Sequence, residues 1–147
     1  MFTIIYDNKE KRPWNFTNHE MSRAHLKTGD YTIEGLENFL CIERKRSVSE
    51  VAKNITESRF KDWVGRMSSF KHSYLILEFG RLDVMKYPYN DDVPVSVRKK
   101  IRIRGKFIMS KLYEVEEQDI TLIFAENRLN AQDIALNIME KTYEQYK

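Results

Sequence analysis

Thr28-Gly29-Asp30-Tyr31-Thr32-Ile33, the turn Glu34-Gly35-Leu36-Glu37-Asn38, and Phe39-Leu40-Cys41-Ile42-Glu43-Arg44-Lys45 read together as two β-strands joined by a hairpin. Successive side chains of a strand leave opposite faces, so Glu43 and Lys45, two apart, share one. Antiparallel pairing about the turn sets Asp30 across from Glu43. Like charges facing each other are unfavourable unless a cation lies between them, and hard divalent cations take carboxylate oxygens. Two acids and a lysine gathered in this way are the minimum set for metal-assisted cleavage of a phosphodiester.

The rest of the chain is compatible with that chemistry. Its 147 residues, 41% hydrophobic with five Gly and three Pro, predict one globular domain spanning 1–147. One cysteine, Cys41, excludes an intramolecular disulfide framework and a Cys-rich zinc site. The N-terminus lacks the basic and apolar regions of a signal peptide, and no stretch nears the ~18 apolar residues of a membrane span. The expectation is a soluble, cytoplasmic protein with no membrane partner.

Net charge is only +3, but its distribution is uneven. No acidic residue lies between Val93 and Tyr113, where Arg98, Lys99, Lys100, Arg102, Arg104, Lys106 and Lys111 fall. Such a run is either a face for a polyanion or a solvated surface.

Along the chain, Phe2 to Asp7 reads as a strand and Asn18 to Leu26 as a short helix capped by Thr17 or Asn18. From Val48 to Met67 the apolar period becomes helical, predicting one long amphipathic helix with Ser47 as N-cap and Glu50 as its capping-box partner. Ser73 to Phe79 reads as a strand buried on both faces, and Gly80 to Pro94 as a surface connection. Val95 to Tyr113 reads as helix, Asp119 to Ala125 as strand and Asn130 to Tyr146 as a closing helix. Strands interleaved with helices predict an α/β fold with a central mixed β-sheet flanked by helices.

In the candidate site, Asp30 and Glu43 supply oxygens for Mg²⁺ or Mn²⁺, with the Arg44 carbonyl as a further candidate ligand. Lys45 lowers the pKa of an attacking water or stabilises a pentavalent phosphate. Asp7, ending the first strand, adds a direct or second-sphere ligand if that strand lies beside the pair. Each element has a plainer reading: Glu-x-Lys as a surface ion pair, Gly-Asp as a turn. Trp14 and Phe16 either stack on unpaired bases or lid the core. His72 reads as a helix-end cap or dipole partner.

The pattern Gly29-Asp30…Glu43-Arg44-Lys45 resembles the nuclease domain of the XPF-type structure-specific endonucleases, a branch of the PD-(D/E)xK restriction-endonuclease-like superfamily. Ile4-Ile5-Tyr6-Asp7-Asn8-Lys9-Glu10 is similar to the opening strand of that family, Arg59-Phe60 to its Arg-Phe or Arg-Leu pair, and Tyr74-Leu75-Ile76-Leu77-Glu78 to its buried strand. Two departures stand out. Lys9 replaces the usual arginine, and aligning Glu50 with the acid that follows Glu-Arg-Lys in the family needs a one-residue insertion.

The resemblance implies a restriction-endonuclease-like fold and a Mg²⁺- or Mn²⁺-dependent DNA endonuclease acting in repair or recombination on branched, flapped or junction DNA. It implies chemistry at Asp7, Asp30, Glu43 and Lys45, support or DNA contact from Glu10 and Arg44, and a phosphate contact at Arg59 whose plainer reading is a surface ion pair. Arg98, Lys99, Lys100, Arg102 and Arg104 then become added backbone contacts. Glu50 is either a supporting acid or only the capping partner. Family members of this type often pair through the nuclease domain, so a homodimer or hetero-partner is a further expectation. No helix-hairpin-helix or helicase domain is expected within these residues. The competing class is a non-catalytic DNA-binding or dimer-partner module with a nuclease fold; RNA as substrate is a third.

Overall fold

The computed structural model describes residues 1–147. Its strands are β1 (Thr3–Asp7), β2 (Glu20–Ala24), β3 (Tyr31–Ile33), β4 (Leu40–Lys45), β5 (His72–Leu77) and β6 (Thr121–Phe124). They form one mixed sheet in the order β2-β1-β3-β4-β5-β6. β3 runs antiparallel to β1 and β4, while the β1–β2, β4–β5 and β5–β6 pairs are parallel. The helices are α1 (Val48–Ile55), α2 (Phe60–Ser68), α3 (Arg81–Met85), α4 (Val95–Arg98), α5 (Gly105–Glu116) and α6 (Arg128–Tyr146).

Alternation along the central strands divides the core in two. Cys41 of β4 and Leu75 and Leu77 of β5 meet Val51, Val64, Val84, Ile108 and Leu112 from α1, α2, α3 and α5. Leu40, Ile42 and Ile76, one residue out of phase, meet Trp14, Phe16 and the α6 residues Ala131, Ala135 and Met139. Both faces of β4 are therefore covered, and Leu40 through Arg44 are all buried. Trp14 and Phe16 are core residues, 0% and 4% exposed, rather than stacking platforms.

Five local expectations are corrected. Asn18 to Leu26 is not a helix; it contains β2, an edge strand held by parallel pairing of Glu20–Ala24 with Thr3–Asp7. Its residues carry no apolar alternation because neither face is buried: Glu20, Ser22 and Arg23 are exposed and Met21 and Ala24 only partly covered. The helix expected from Val48 to Met67 is two, α1 and α2. Residues 56–59 break it, where the Thr56 hydroxyl donates to the Lys53 carbonyl and the Asn54 amide to Glu57, local bonds that compete with helix propagation. The connection 80–94 carries the short α3. The helix expected from Val95 is interrupted between α4 and α5, where Ile101 and Ile103 pack on the core and Arg102 and Arg104 face out. His72 begins β5 rather than ending a helix, and its Nε2 lies 2.9 Å from the Tyr146 hydroxyl.

Candidate active site

Three acidic residues stand in one row across the sheet. The Asp7 amide donates to the Asp30 carbonyl at 2.9 Å, and the Asp30 amide to the Ile42 carbonyl at 2.8 Å. Continuing the β1–β3 and β3–β4 registers sets Asp7 opposite Asp30 and Asp30 opposite Glu43. Directly opposed residues share a face, and period two adds Lys45 to the same side. Gly29 makes the approach possible. It sits at φ +84°, and a Cβ there would lie 2.6 Å from Cys41 Sγ.

The row forms the floor of a cleft of about 330 Å³ whose walls include Lys9, Lys27 and Thr28 on one side and Glu50, Arg59 and Trp63 on the other. Asp30 Oδ2 accepts the Arg44 backbone N–H at 2.8 Å, and Glu43 Oε2 lies 3.1 Å from Lys45 Nζ. Burial, then the neighbouring Glu43 charge, push the Asp30 carboxyl well above its ordinary pKa, against the opposing pull of the Arg44 N–H. Burial by itself would depress the Lys45 ammonium, but Glu43 and Glu50 outweigh it and its pKa is raised. Lys45 therefore stays protonated, which suits electrostatic stabilisation and excludes service as a general base near neutral pH.

Asp7 belongs to the row by backbone position only. Its Oδ1 accepts the Leu26 N–H at 2.8 Å and its Oδ2 the Lys9 N–H at 3.1 Å, tying two cleft-lining loops to the end of β1. No three His, Cys, Asp or Glu side chains converge as a ready metal cage. With each carboxylate oxygen already accepting a backbone N–H, Asp7 suits the second-sphere role of the two expected for it. Asp30 Oδ1 and Glu43 Oε1 receive no hydrogen bond from the protein, and the excess negative charge that raises Asp30 is what a cation would neutralise. Mg²⁺ commonly uses one or two carboxylates and completes its shell with water and substrate phosphate, so this donor pair fits it.

Arg44 takes the opposite face from Glu43 and Lys45, so the expected DNA contact is corrected. It is 4% exposed, with Nη1 2.8 Å from Glu10 Oε2 and Nε 2.8 Å from Glu78 Oε2. Its guanidinium lies 4.9 Å from the Trp14 ring centroid. The Trp14 indole N–H donates to Glu78 Oε2 at 2.7 Å and the Tyr31 hydroxyl to Glu10 Oε2 at 2.8 Å. Glu10 thus supports the site from behind, by holding β4 to the loop that carries Trp14.

The remaining expected residues divide. Glu50 lines the cleft and its amide donates to the Ser47 hydroxyl at 3.2 Å, but its carboxylate accepts from the Arg46 amide rather than returning to Ser47. Arg59 lies on the rim with its side chain 77% exposed, 3.3 Å from Glu57. Arg98, Lys99, Lys100, Arg102 and Arg104 do not line the cleft. Lys27, Arg46 and Arg66 do. Lys27 and Arg66 stand singly in the sequence, while Arg46 closes the basic triplet Arg44-Lys45-Arg46. Glu78 stands out in sequence only as the end of a buried strand.

The six-stranded mixed sheet, helix-covered on both faces, is an α/β fold of the restriction-endonuclease-like class, with Asp30 just before β3 and Glu43 and Lys45 at the end of β4. Within it, the architecture is the XPF nuclease fold. The chain is similar to XPF from Aeropyrum pernix with a TM-score of 0.64 at 18% identity, over 94% of this chain and 62% of that one. It is similar to XPF from Aeropyrum pernix in complex with DNA with a TM-score of 0.70 at 15% identity, over 99% of this chain and 66% of that one. This chain thus spans just under two thirds of the length of those structures. At such identities the likeness is one of fold. No family model and no curated protein matches the sequence.

Proposed function

We propose that this chain is a metal-dependent DNA endonuclease that hydrolyses phosphodiester bonds, with branched, flapped or junction DNA as its substrate. The observation that carries the reading is the pairing of Asp30 and Glu43 in an open cleft, each with one free oxygen, beside a lysine held protonated. The likeness in fold to XPF from Aeropyrum pernix, one structure of which is a complex with DNA, supports the choice of polymer.

Asp30 and Glu43 would hold Mg²⁺ or Mn²⁺. Such an ion supplies a Lewis acid for a phosphoryl oxygen and a bound water of lowered pKa. Lys45, anchored by Glu43, presents positive charge to the oxygens on which negative charge grows as the phosphorus becomes pentavalent. Lys27, Arg46, Arg59 and Arg66 around the cleft draw in the backbone without reading its sequence.

The test is cleavage of flap, splayed-arm, four-way, duplex and single-stranded DNA with Mg²⁺ and with Mn²⁺. Asp30→Asn and Glu43→Gln should abolish cleavage while binding survives. Wild-type rates from either variant would remove the site assignment, and wild-type protein that binds DNA but never cuts it would leave a binding module.

A further inference from the structure

The segment Arg81 to Lys106 holds eight Lys and Arg against three Asp, which leaves the rest of the chain net acidic. Its basic residues are not ion-paired within their own run: every ion pair in the protein lies outside residues 98–106. They are not equivalent, however. Arg98 donates to the carbonyls of Val93 and Asn90 at 3.1 and 3.0 Å, which makes it a clamp for its own loop. Arg104 is held in the same way, its Nη1 donating to the Ile101 carbonyl at 2.6 Å, whereas Lys99, Lys100 and Arg102 are exposed and make no such bond.

After α4 the chain turns at Lys99 and Lys100, where the Lys100 amide donates to the Val97 carbonyl at 3.0 Å, and then runs without regular structure to Arg104 at φ −123° and ψ 166°. Ile101 and Ile103 pack on the core, so Lys100, Arg102 and Arg104 all project outward.

Topology puts this comb at the same end of the molecule as the acid pair. The parallel strands β4, β5 and β6 finish in register at Lys45, Leu77 and Phe124. α3 begins just beyond the end of β5, and α5 starts against it: the Gly105 amide donates to the Tyr87 carbonyl at 3.2 Å, and a Cβ on Gly105 would strike the Val84 and Met85 backbone.

We infer that Lys100 and Arg102 form a second phosphate track along the carboxyl edge of the sheet, gripping a DNA backbone beyond the Asp30–Glu43 cleft. The track rests on the reading of the cleft as a DNA nuclease site, and it assigns affinity to one part of the fold and chemistry to another.

The test is fluorescence anisotropy of a short labelled duplex, titrated with salt in EDTA so that no cutting occurs. Lys100→Gln with Arg102→Gln should make the slope of log affinity against log salt shallower by about 1.8, since each phosphate contact contributes roughly 0.9. Lys141→Gln with Lys147→Gln on α6 removes the same charge elsewhere and should leave the slope as it is. An unchanged slope in the first pair, or an equal change in both, overturns the track. Cleavage with Mn²⁺ at saturating DNA is scored separately. If the track variants lose affinity as expected but no variant or wild type cuts, the nuclease reading fails and the track stands.

Discussion

Asp7 and Asp30 are joined by a 2.9 Å backbone hydrogen bond and point their side chains to the same face, yet only Asp30 keeps a carboxylate oxygen free. The other aspartate is a fastener. It holds the Lys9 amide and the Leu26 amide, and through them the two loops that flank the cleft.

Asp7→Ala should therefore act on stability. Leaving these part-buried amides without acceptors costs about 1 kcal/mol, read as a fall in the midpoint of urea unfolding. Asp7→Asn, which keeps an acceptor, should fall less. In thermal melts the Mn²⁺ concentration giving half-maximal stabilisation should be the same for Asp7→Asn as for wild type; a large increase would return Asp7 to the list of ligands.

Asp30 makes the opposite prediction. Its folded-state pKa lies above the ordinary 3.8, so the folded protein binds the proton more tightly than the unfolded chain does. The ionised form is then a penalty on the fold. The penalty is absent at pH below 3.8, grows as pH rises above it, and is complete once pH passes the raised folded value. Without divalent ions, Asp30→Asn should be more stable than wild type at neutral pH, with the difference vanishing on acidification. Mn²⁺ should raise the melting temperature of wild type and not of the variant. Equal stability of the two proteins at every pH would show that the burial and charge around Asp30 do not strain it.

Arg44 pairs with two acids on the reverse face, at 2.8 Å each. Removing a buried charge strands its partners, at a cost of about 3–5 kcal/mol. Arg44→Ala should show a loss of that order in denaturant titration. Arg44→Lys should recover only part of it, because an ammonium cannot reach Glu10 and Glu78 as a planar fork does. For whichever variant remains folded, the salt dependence of DNA affinity should match wild type. A shallower slope would mean that the guanidinium reaches a phosphate after all.

How much of this was legible in the sequence depends on the range of the interaction. Period-two alternation and one turn suffice to set Asp30 against Glu43 and to group Lys45 with them, since all of that lies within one hairpin. The same alternation sends Arg44 to the reverse face, a consequence that the family resemblance obscured by grouping Glu43, Arg44 and Lys45 as one motif. Asp7 required knowing that β1 pairs with β3 and that Leu26, nineteen residues away, brings an amide to it. Neither is encoded locally. β2 was unreadable for a different reason: its hydrogen bonds come from β1, and its polar side chains have no apolar face to mark. The break between α1 and α2 escaped because the apolar period continues across it, while hydroxyl and amide side chains at Thr56 and Asn54 redirect the backbone.

Lys45 is the remaining test of chemistry against architecture. Its ammonium is buried between Glu43 and Glu50 and stacks 5.5 Å from the Trp63 ring centroid, and those acids overcome burial to raise its pKa. The residue carries its charge near neutral pH, so the pH profile of cleavage there should show no limb from its deprotonation. Lys45→Met keeps the length of the stem and its contact with Trp63 while deleting the charge. Loss of one preorganised electrostatic partner of a transition state commonly costs about 10²–10³ in rate. Single-turnover cleavage at saturating DNA should fall by that factor with affinity nearly unchanged, because the lost contact is made to the reacting phosphate rather than to the bound strand at large. An undiminished rate would reduce Lys45 to a counter-ion for Glu43.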